Sequence, residues 1–121
     1  MLRYYDKNMQ LIYKICAAAE WERAVASGVF RGFAVDHKAG FIHFSAAHQV
    51  RETARKHFAG RDELVLVALA EQGLPSLRWE PSRGGELFPH LYAEVAINAA
   101  RSVQPLPLKH GIHVFPEGVP E

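Results

Sequence analysis

An unbroken apolar run, Leu64-Val65-Leu66-Val67-Ala68-Leu69, constrains the fold of this chain more than any other stretch. A strand that shows no alternation of apolar and polar residues is typical of one that is covered on both faces. The segment Leu11–Cys16 is also mostly apolar and predicts a second buried strand. The chain is therefore expected to build a sheet with packed layers, and Leu64–Leu69 is expected to be its central strand.

Two segments have helical patterns. Ala18–Ser27 predicts a short helix, and Gly28 stands where a left-handed residue would end it. Ala46–Phe58 predicts the main helix, with Ser45 as the residue that caps its first turn. Between the two helices the chain reads as irregular up to Ala39, with Asp36, His37 and Lys38 expected to be exposed.

The stretch Gly40–Ser45 reads as a strand that carries one histidine. Because successive side chains on a strand alternate, His43 is expected on the face opposite Ile42 and Phe44. If the strand runs straight into a helix capped by Ser45, free N–H groups lie beside His43 and favour an anion such as phosphate. The alternative is a buried histidine whose ring bonds a backbone carbonyl.

The composition is that of an ordinary globular protein and argues against several classes of function. The chain has 121 residues and a formal net charge of +1, which argues against bulk electrostatic binding to nucleic acid or to a membrane. Cys16 is the single cysteine, so an intrachain disulfide is impossible. No apolar run reaches the roughly 18 residues of a membrane span, and Met1–Gln10 carries charges unlike a signal peptide. We expect a cytoplasmic protein, with residues 1–10 as an extension and 11–121 as one domain.

Two short motifs are specific in combination, namely Gly40–Ser45 (Gly-Phe-Ile-His-Phe-Ser) and Phe88–Tyr92 (Phe-Pro-His-Leu-Tyr). Together they resemble the bacterial domain-of-unknown-function family 952, over about Leu11 to Leu106. The glycine that usually follows the second motif is replaced by Ala93. The other residues that carry the resemblance are Tyr13, Lys14, Ile15, Trp21, Ala24, Gly28, Asp36, Gln49, Val50, Trp79 and Glu80.

That family is similar to the ADP-ribosyltransferase fold. The resemblance implies an α+β domain with two small, mostly antiparallel sheets around a cleft and two main helices. It also implies a strand near Ala99–Leu106. Members of that fold bind NAD, and the RNA 2′-phosphotransferases bind NAD together with a phosphorylated RNA. The first strand of those enzymes carries a histidine that grips the nicotinamide ribose, whereas this chain has Tyr13-Lys14-Ile15-Cys16 there.

The resemblance also implies the residues of a site. Glu80 ends a short strand, Leu77–Glu80, which Pro81 is expected to stop, and a flexible glycine-rich loop, Ser82–Glu86, follows it. Glu80 is expected to hold a ribose hydroxyl, with His43 and His90 as further catalytic groups. The residues expected to contact the ligand are Ser45, Gln49, Tyr92 and Trp21. The expected cofactor is NAD, and the expected partner is a nucleotide-like small molecule, ahead of RNA.

Each of these residues also has a structural alternative. Glu80 can form a surface salt bridge, Tyr92 can pack in the core, and the basic run on the main helix can be a solvated face. No pair of histidine or cysteine residues has the spacing of metal ligands, so no metal is expected. Two classes of function stay open: an enzyme acting on ADP-ribose or a phosphorylated substrate, and a non-catalytic ligand-binding or protein-binding module that retains only the fold.

Overall fold

The computed structural model describes residues 10–82 and 84–120, which form a small α+β domain with antiparallel sheets. The helices are α1 (Ala18–Ser27), α2 (Ala34–Ala39) and α3 (Val50–His57), with 3-10 turns at Glu71–Gly73 and Ile97–Ala99. The strands are β1 (Leu11–Ala17), β2 (Val29–Phe30), β3 (Ile42–His43), β4 (Ser45–Ala46), β5 (Leu64–Ala70), β6 (Leu77–Ser82), β7 (Glu86–Leu91), β8 (Val95–Ala96), β9 (Ala100–Pro105), β10 (Leu108–Lys109) and β11 (Ile112–His113). The α+β class is confirmed. Residues 1–9 of the predicted extension lie outside the described residues.

The larger sheet has the strand order β4-β1-β5-β9 and confirms the buried interior strand at Leu64–Leu69. Alternate side chains of β5 enter two different cores. Val67 and Leu69 pack with Ile12 on one face, while Leu64 and Leu66 pack against α3 on the other. Because both faces are covered, the strand has no polar positions.

The smaller sheet has the order β3-β7-β6, and its two faces differ. One face, with Ile42 and Leu91, lies in the core, whereas His43 and His90 project from the other. Pro81 was expected to stop β6, but the strand continues to Ser82. Since β6 is an edge strand, the N–H that proline lacks is not needed for pairing with β7.

The smaller sheet also changes the interpretation of the glycine-rich loop. Ser82 and Glu86 are a register pair of β6 and β7, so these strands form a hairpin. The N–H of Gly85 donates to the Ser82 carbonyl at 3.0 Å. Gly84 and Gly85 therefore lie in a turn that leads directly into β7.

The predicted bounds are confirmed for the first helix but not for the second. Helix α1 has the predicted bounds, and Gly28 ends it with a left-handed φ of 85°. Helix α3 begins at Val50 rather than Ala46, so the prediction that Ser45 caps it is wrong. Ser45 lies in β4 and pairs with Tyr13 of β1, because pairing satisfies its backbone in the sheet.

The interval between α1 and β3 was expected to be irregular, with Asp36 exposed, and both expectations are wrong. It contains β2 and the short helix α2, and Asp36 is only 1% exposed. The physical reason is a buried cation, Lys14 of β1, which pairs with the carboxylate. His37 and Lys38 of the same helix are exposed as expected.

The C-terminal third is extended, as the resemblance implied. Strand β9 at Ala100–Pro105 confirms the strand expected near Ala99–Leu106, and Val95–Ala96 forms the short pair β2–β8. Across residues 10–82 and 84–120, no helix is long and apolar enough to cross a membrane.

Candidate functional site

The structure brings His43, Glu80, His90 and Tyr92 together on the open face of the smaller sheet. His43 of β3 and His90 of β7 are directly opposite in the strand register. Side chains at opposed positions point to the same face, and the ring centroids of the two histidines are 5.6 Å apart. Three of these four residues come from different strands, so the cluster is produced by the sheet register.

A buried carboxylate orients the first histidine. Nδ1 of His43 lies 2.7 Å from Oδ1 of Asp36, and the backbone N–H of His43 donates to the same oxygen at 3.0 Å. The alternative of a ring bonded to a backbone carbonyl is therefore wrong. The His43 side chain is 35% exposed and so remains accessible to a ligand.

The Asp36 carboxylate is ionised despite its burial. Burial disfavours the charge, but bonds from the ring of His43, the charge of Lys14 and the N–H groups of His43 and Phe33 outweigh it and lower the pKa of Asp36. An ionised carboxylate can only accept hydrogen bonds, so Nδ1 of His43 carries the proton. Nε2 of His43 has no partner among the described residues.

Lys14 completes this buried network. Its ammonium donates to both oxygens of Asp36 at 3.0 Å and to the His43 carbonyl at 2.9 Å. Burial lowers the pKa of Lys14, and the facing Asp36 carboxylate opposes that shift. All the donors of the ammonium are directed at protein acceptors, so Lys14 neutralises Asp36 and holds β1, α2 and β3 together.

Glycine at position 32 lets Asp36 reach this position. A Cβ at Gly32 would lie 2.8 Å from Cβ of Asp36 and 3.2 Å from a side-chain carbon of Ile42. The backbone φ of Gly32 is also left-handed, at 88°. A larger residue would therefore displace the carboxylate that orients His43.

A second carboxylate orients His90. Oε1 of Glu80 lies 2.8 Å from Nδ1 of His90 and accepts the hydroxyl of Tyr92 at 2.7 Å. The bonds from Tyr92 and His90 lower the pKa of Glu80, and the bond to Glu80 raises the pKa of Tyr92. Both bonds use Oε1, so Oε2 of Glu80 has no protein partner within the described part of the chain.

Aromatic rings surround the two histidines. Phe41 stacks on His90 with centroids 4.1 Å apart and also contacts His43 and Tyr92. The guanidinium of Arg78 lies 5.2 Å from the ring centre of Tyr92, whose side chain is exposed. His90 is 4% exposed, so Phe41 and the sheet shield it from water.

Two cavities border the cluster. One, of about 460 Å³, extends from His43 to α3 and is lined by Tyr13, Ser45, Thr53 and Arg61 among others. The other, of about 380 Å³, is lined by Phe41 and Tyr92 and by residues of the α2 region. His43 therefore lines the first cavity and Tyr92 the second, whereas His90 and Glu80 line neither.

The remaining predicted site residues lie in different environments. Ser45 lines the larger cavity, but its hydroxyl contacts Thr53 at 2.8 Å. Gln49 is buried and uses both amide atoms, accepting the N–H of Ala46 and donating to the carbonyl of Leu87. Trp21 packs in the core against Phe30 and does not join the cluster.

Sequence reasoning missed Lys14 and Asp36 as a pair. The available signal was a lysine inside an otherwise apolar strand, since a buried lysine needs an acidic partner. Among residues 10–82 and 84–120, no group of three or more His, Cys, Asp or Glu side chains is arranged to hold a metal ion.

The whole chain was compared with known proteins. The crystal structure of protein CC0527 from Caulobacter crescentus is 46% identical, covers 86% of this chain and 93% of that chain, and superposes with a TM-score of 0.82. The solution NMR structure of the same protein is 47% identical over 84% of this chain and 90% of that one, with a TM-score of 0.78. No curated protein matches. A family model described as "Protein of unknown function (DUF952)" matches residues 15–103, and the chain therefore belongs to that family.

Proposed function

We propose that this chain is a cytoplasmic, ADP-ribosyltransferase-like domain that binds a nucleotide-like or phosphorylated ligand at the opposed histidines His43 and His90. The candidate ligands are NAD, ADP-ribose and a 2′-phosphorylated RNA. Glu80, His43 and His90 act on the ligand, and Tyr92 contacts it. The observation that carries the proposal is the pair of opposed histidines, each with Nδ1 at a carboxylate oxygen.

This arrangement suits acid–base and electrostatic chemistry on a ribose. With Nδ1 bonded to an ionised carboxylate, the accessible ring of His43 keeps Nε2 to accept a proton from a ligand hydroxyl, and the shielded ring of His90 acts through the Glu80 carboxylate that it bonds. Glu80 keeps Oε2, which can hold a ribose hydroxyl and stabilise the positive charge that develops on the sugar in ADP-ribosyl transfer. The supporting geometry is already in place, because Asp36, Lys14 and Phe41 hold the two rings.

A specific observation favours the second candidate, a binding module without catalysis. The first strand carries a histidine in the RNA 2′-phosphotransferases, whereas this chain has Tyr13-Lys14-Ile15-Cys16 there. The ammonium of Lys14 is fully engaged with Asp36 and the His43 carbonyl. No residue of β1 therefore replaces that histidine with a free charged group.

A thermal-shift panel tests ligand binding directly. The ligands are NAD, ADP-ribose, nucleoside phosphates and inorganic phosphate, each with the wild type and with His43→Gln. A ligand that binds only the folded state stabilises it by about 2.7 kcal/mol at a hundredfold excess over Kd. We expect such a shift for at least one nucleotide-like ligand, and a smaller one in His43→Gln.

The matched control is His48→Gln. His48 also lies beside a carboxylate, Glu86 at 3.2 Å, but that pair is exposed and outside the cluster. Its ligand-induced shift should equal that of the wild type. If no ligand in the panel shifts the wild type, or if both histidine variants lose the shift equally, the proposed site is wrong.

A further inference from the structure

We propose that the larger cavity beside His43 binds an oxyanion of the ligand, a phosphate or a carboxylate group, through the hydroxyl of Tyr13 and the guanidinium of Arg61. This inference deepens the proposed function and rests on it in taking that oxyanion as part of the ligand that reaches His43.

The first observation is the buried hydroxyl of Tyr13. The residue is 5% exposed, lines the cavity and projects from β1 on the face that α3 covers. Within the described residues, no group forms a hydrogen bond with this hydroxyl. Buried polar groups are nearly always bonded, so an unbonded one at a cavity wall indicates a site that another molecule completes. Burial also raises the pKa of Tyr13, which keeps the hydroxyl protonated as a donor.

Two other hydroxyls of the cavity, those of Ser45 and Thr53, are already paired with one another. Ser45 stands opposite Tyr13 in the strand register, and its Oγ lies 2.8 Å from Oγ1 of Thr53. Thr53 in turn donates to the Gln49 carbonyl at 3.1 Å, so Ser45 is the donor to Thr53. Ser45 and Thr53 therefore use their hydroxyl hydrogens within the protein, whereas the Tyr13 hydroxyl can donate to a hydrogen-bond acceptor on a ligand.

The second observation is the charge balance of the cavity. Arg51 binds C-terminal carbonyls, and Arg55 and Lys56 pair with Glu52. Arg61 instead lies over the ring of Phe58 and has no carboxylate partner within residues 10–82 and 84–120. No acidic residue lies among those described that line the cavity.

The third observation is the position of Lys14, the other cation at the cavity. Its charge is balanced by Asp36, so among the described residues that line the cavity the unbalanced positive charge is that of Arg61. A donor hydroxyl, an unbalanced guanidinium and His43 all line this cavity, and together they match an anionic group with several acceptor oxygens. The apolar walls, among them Ile15 and Phe44, suit the carbon frame that carries that group.

The test measures the binding of inorganic phosphate and of acetate by NMR, with the tyrosine rings labelled with ¹³C. The Tyr13 signal is identified by its loss in Tyr13→Phe. We expect phosphate, acetate or both to shift that signal. The anion that binds more tightly shows whether the cavity prefers a phosphate or a carboxylate group. Tyr13→Phe and Arg61→Gln, followed through backbone amide signals, should each weaken binding about tenfold or more, as expected for a lost charge-assisted bond. Arg55→Gln, which removes a cation of α3 that is paired with Glu52, should leave binding unchanged.

A melting curve separates this role from a structural one. Removing a buried hydroxyl that has no partner among residues 10–82 and 84–120 relieves a desolvation penalty, so Tyr13→Phe should keep or raise Tm while it loses the anion. A clear fall in Tm, or anion binding that is unaffected in both variants, would overturn the inference even if NAD or ADP-ribose binds normally. Anion binding that depends on Tyr13, in a protein that binds no nucleotide, would support the cavity and refute the proposed function. If neither anion binds the wild type, the inference is wrong.

Discussion

The substitution Asp36→Asn tests the buried network behind His43. Asp36 and Lys14 are 1% and 8% exposed in their side chains and lie 3.0 Å apart. Removing one partner of a buried ion pair typically costs about 3 to 5 kcal/mol, because the other charge stays buried without compensation. The asparagine also offers only one acceptor oxygen to the donors on Lys14, His43 and Phe33. We therefore expect the free energy of unfolding to fall by the full amount of about 3 to 5 kcal/mol. In a domain of this size the loss corresponds to a fall in Tm on the order of 10 °C or more.

The assay is urea unfolding at neutral pH of the wild type, of Asp36→Asn and of a control, Glu94→Gln. The Arg31–Glu94 pair has nearly the same separation, 3.1 Å, but both side chains are more than half exposed. Its loss should change the free energy of unfolding by less than about 1 kcal/mol. If Asp36→Asn and Glu94→Gln lower the free energy of unfolding by the same small amount, burial of the Lys14–Asp36 pair does not increase its contribution to stability, and the prediction is wrong.

The same pair predicts a pH dependence with a definite sign. The folded pKa of Asp36 lies below its unfolded value of about 3.9, so its stabilisation is fully present above that value. It is lost as the pH falls below about 4 towards the folded pKa. The stability gap between the wild type and Asp36→Asn should therefore narrow in that acid range, and a gap that widens there would contradict the prediction.

Three further predictions concern single residues. Glu80→Gln should lower the rate of NAD hydrolysis or ADP-ribose transfer by about a hundredfold and leave the ligand Kd little changed. If the wild type is active and the substitution leaves its rate unchanged, Glu80 is not the catalytic carboxylate. If the wild type is inactive but binds a ligand, the result favours the non-catalytic module. Gln49→Leu should lower the free energy of unfolding in urea by about 2 kcal/mol, because the buried Ala46 N–H and the partly buried Leu87 carbonyl lose their partner. An unchanged free energy of unfolding would show that these groups find another partner. Burial raises the pKa of Cys16 to about 12, so the reactive thiolate is scarce at neutral pH. A thiol reagent should therefore modify Cys16 only as fast as the chain unfolds. Rapid labelling of the folded protein would show that Cys16 is not buried.

The structure explains why the two motifs occur together in this chain. His43 comes from the first motif and His90 from the second, and the strand register sets them opposite each other. Phe41 of the first motif stacks on His90 of the second. Each motif therefore supplies one half of the proposed site, and the roles of these residues in binding or chemistry remain predictions.

The sequence alone determined the elements whose cause is local. Leu64–Leu69 has no polar position, and only a strand covered on both faces suits it. Gly28 predicts the end of α1, because a left-handed residue without a Cβ is favoured there. Strict alternation placed His43 on the face opposite Ile42 and Phe44, as the structure confirms.

Only the tertiary structure decided the partners of these groups. Ser45 became a strand residue because β1 offered its backbone a partner, although a serine before a helical pattern also suits a cap. Asp36 became buried because Lys14, 22 positions earlier, needs a carboxylate inside the domain. The bonds of Glu80 to His90 and Tyr92 likewise depend on the register of β6 and β7. Local propensity reflects energies within a few residues, whereas a buried charge or an opposed pair is stabilised by groups that only the folded chain brings together.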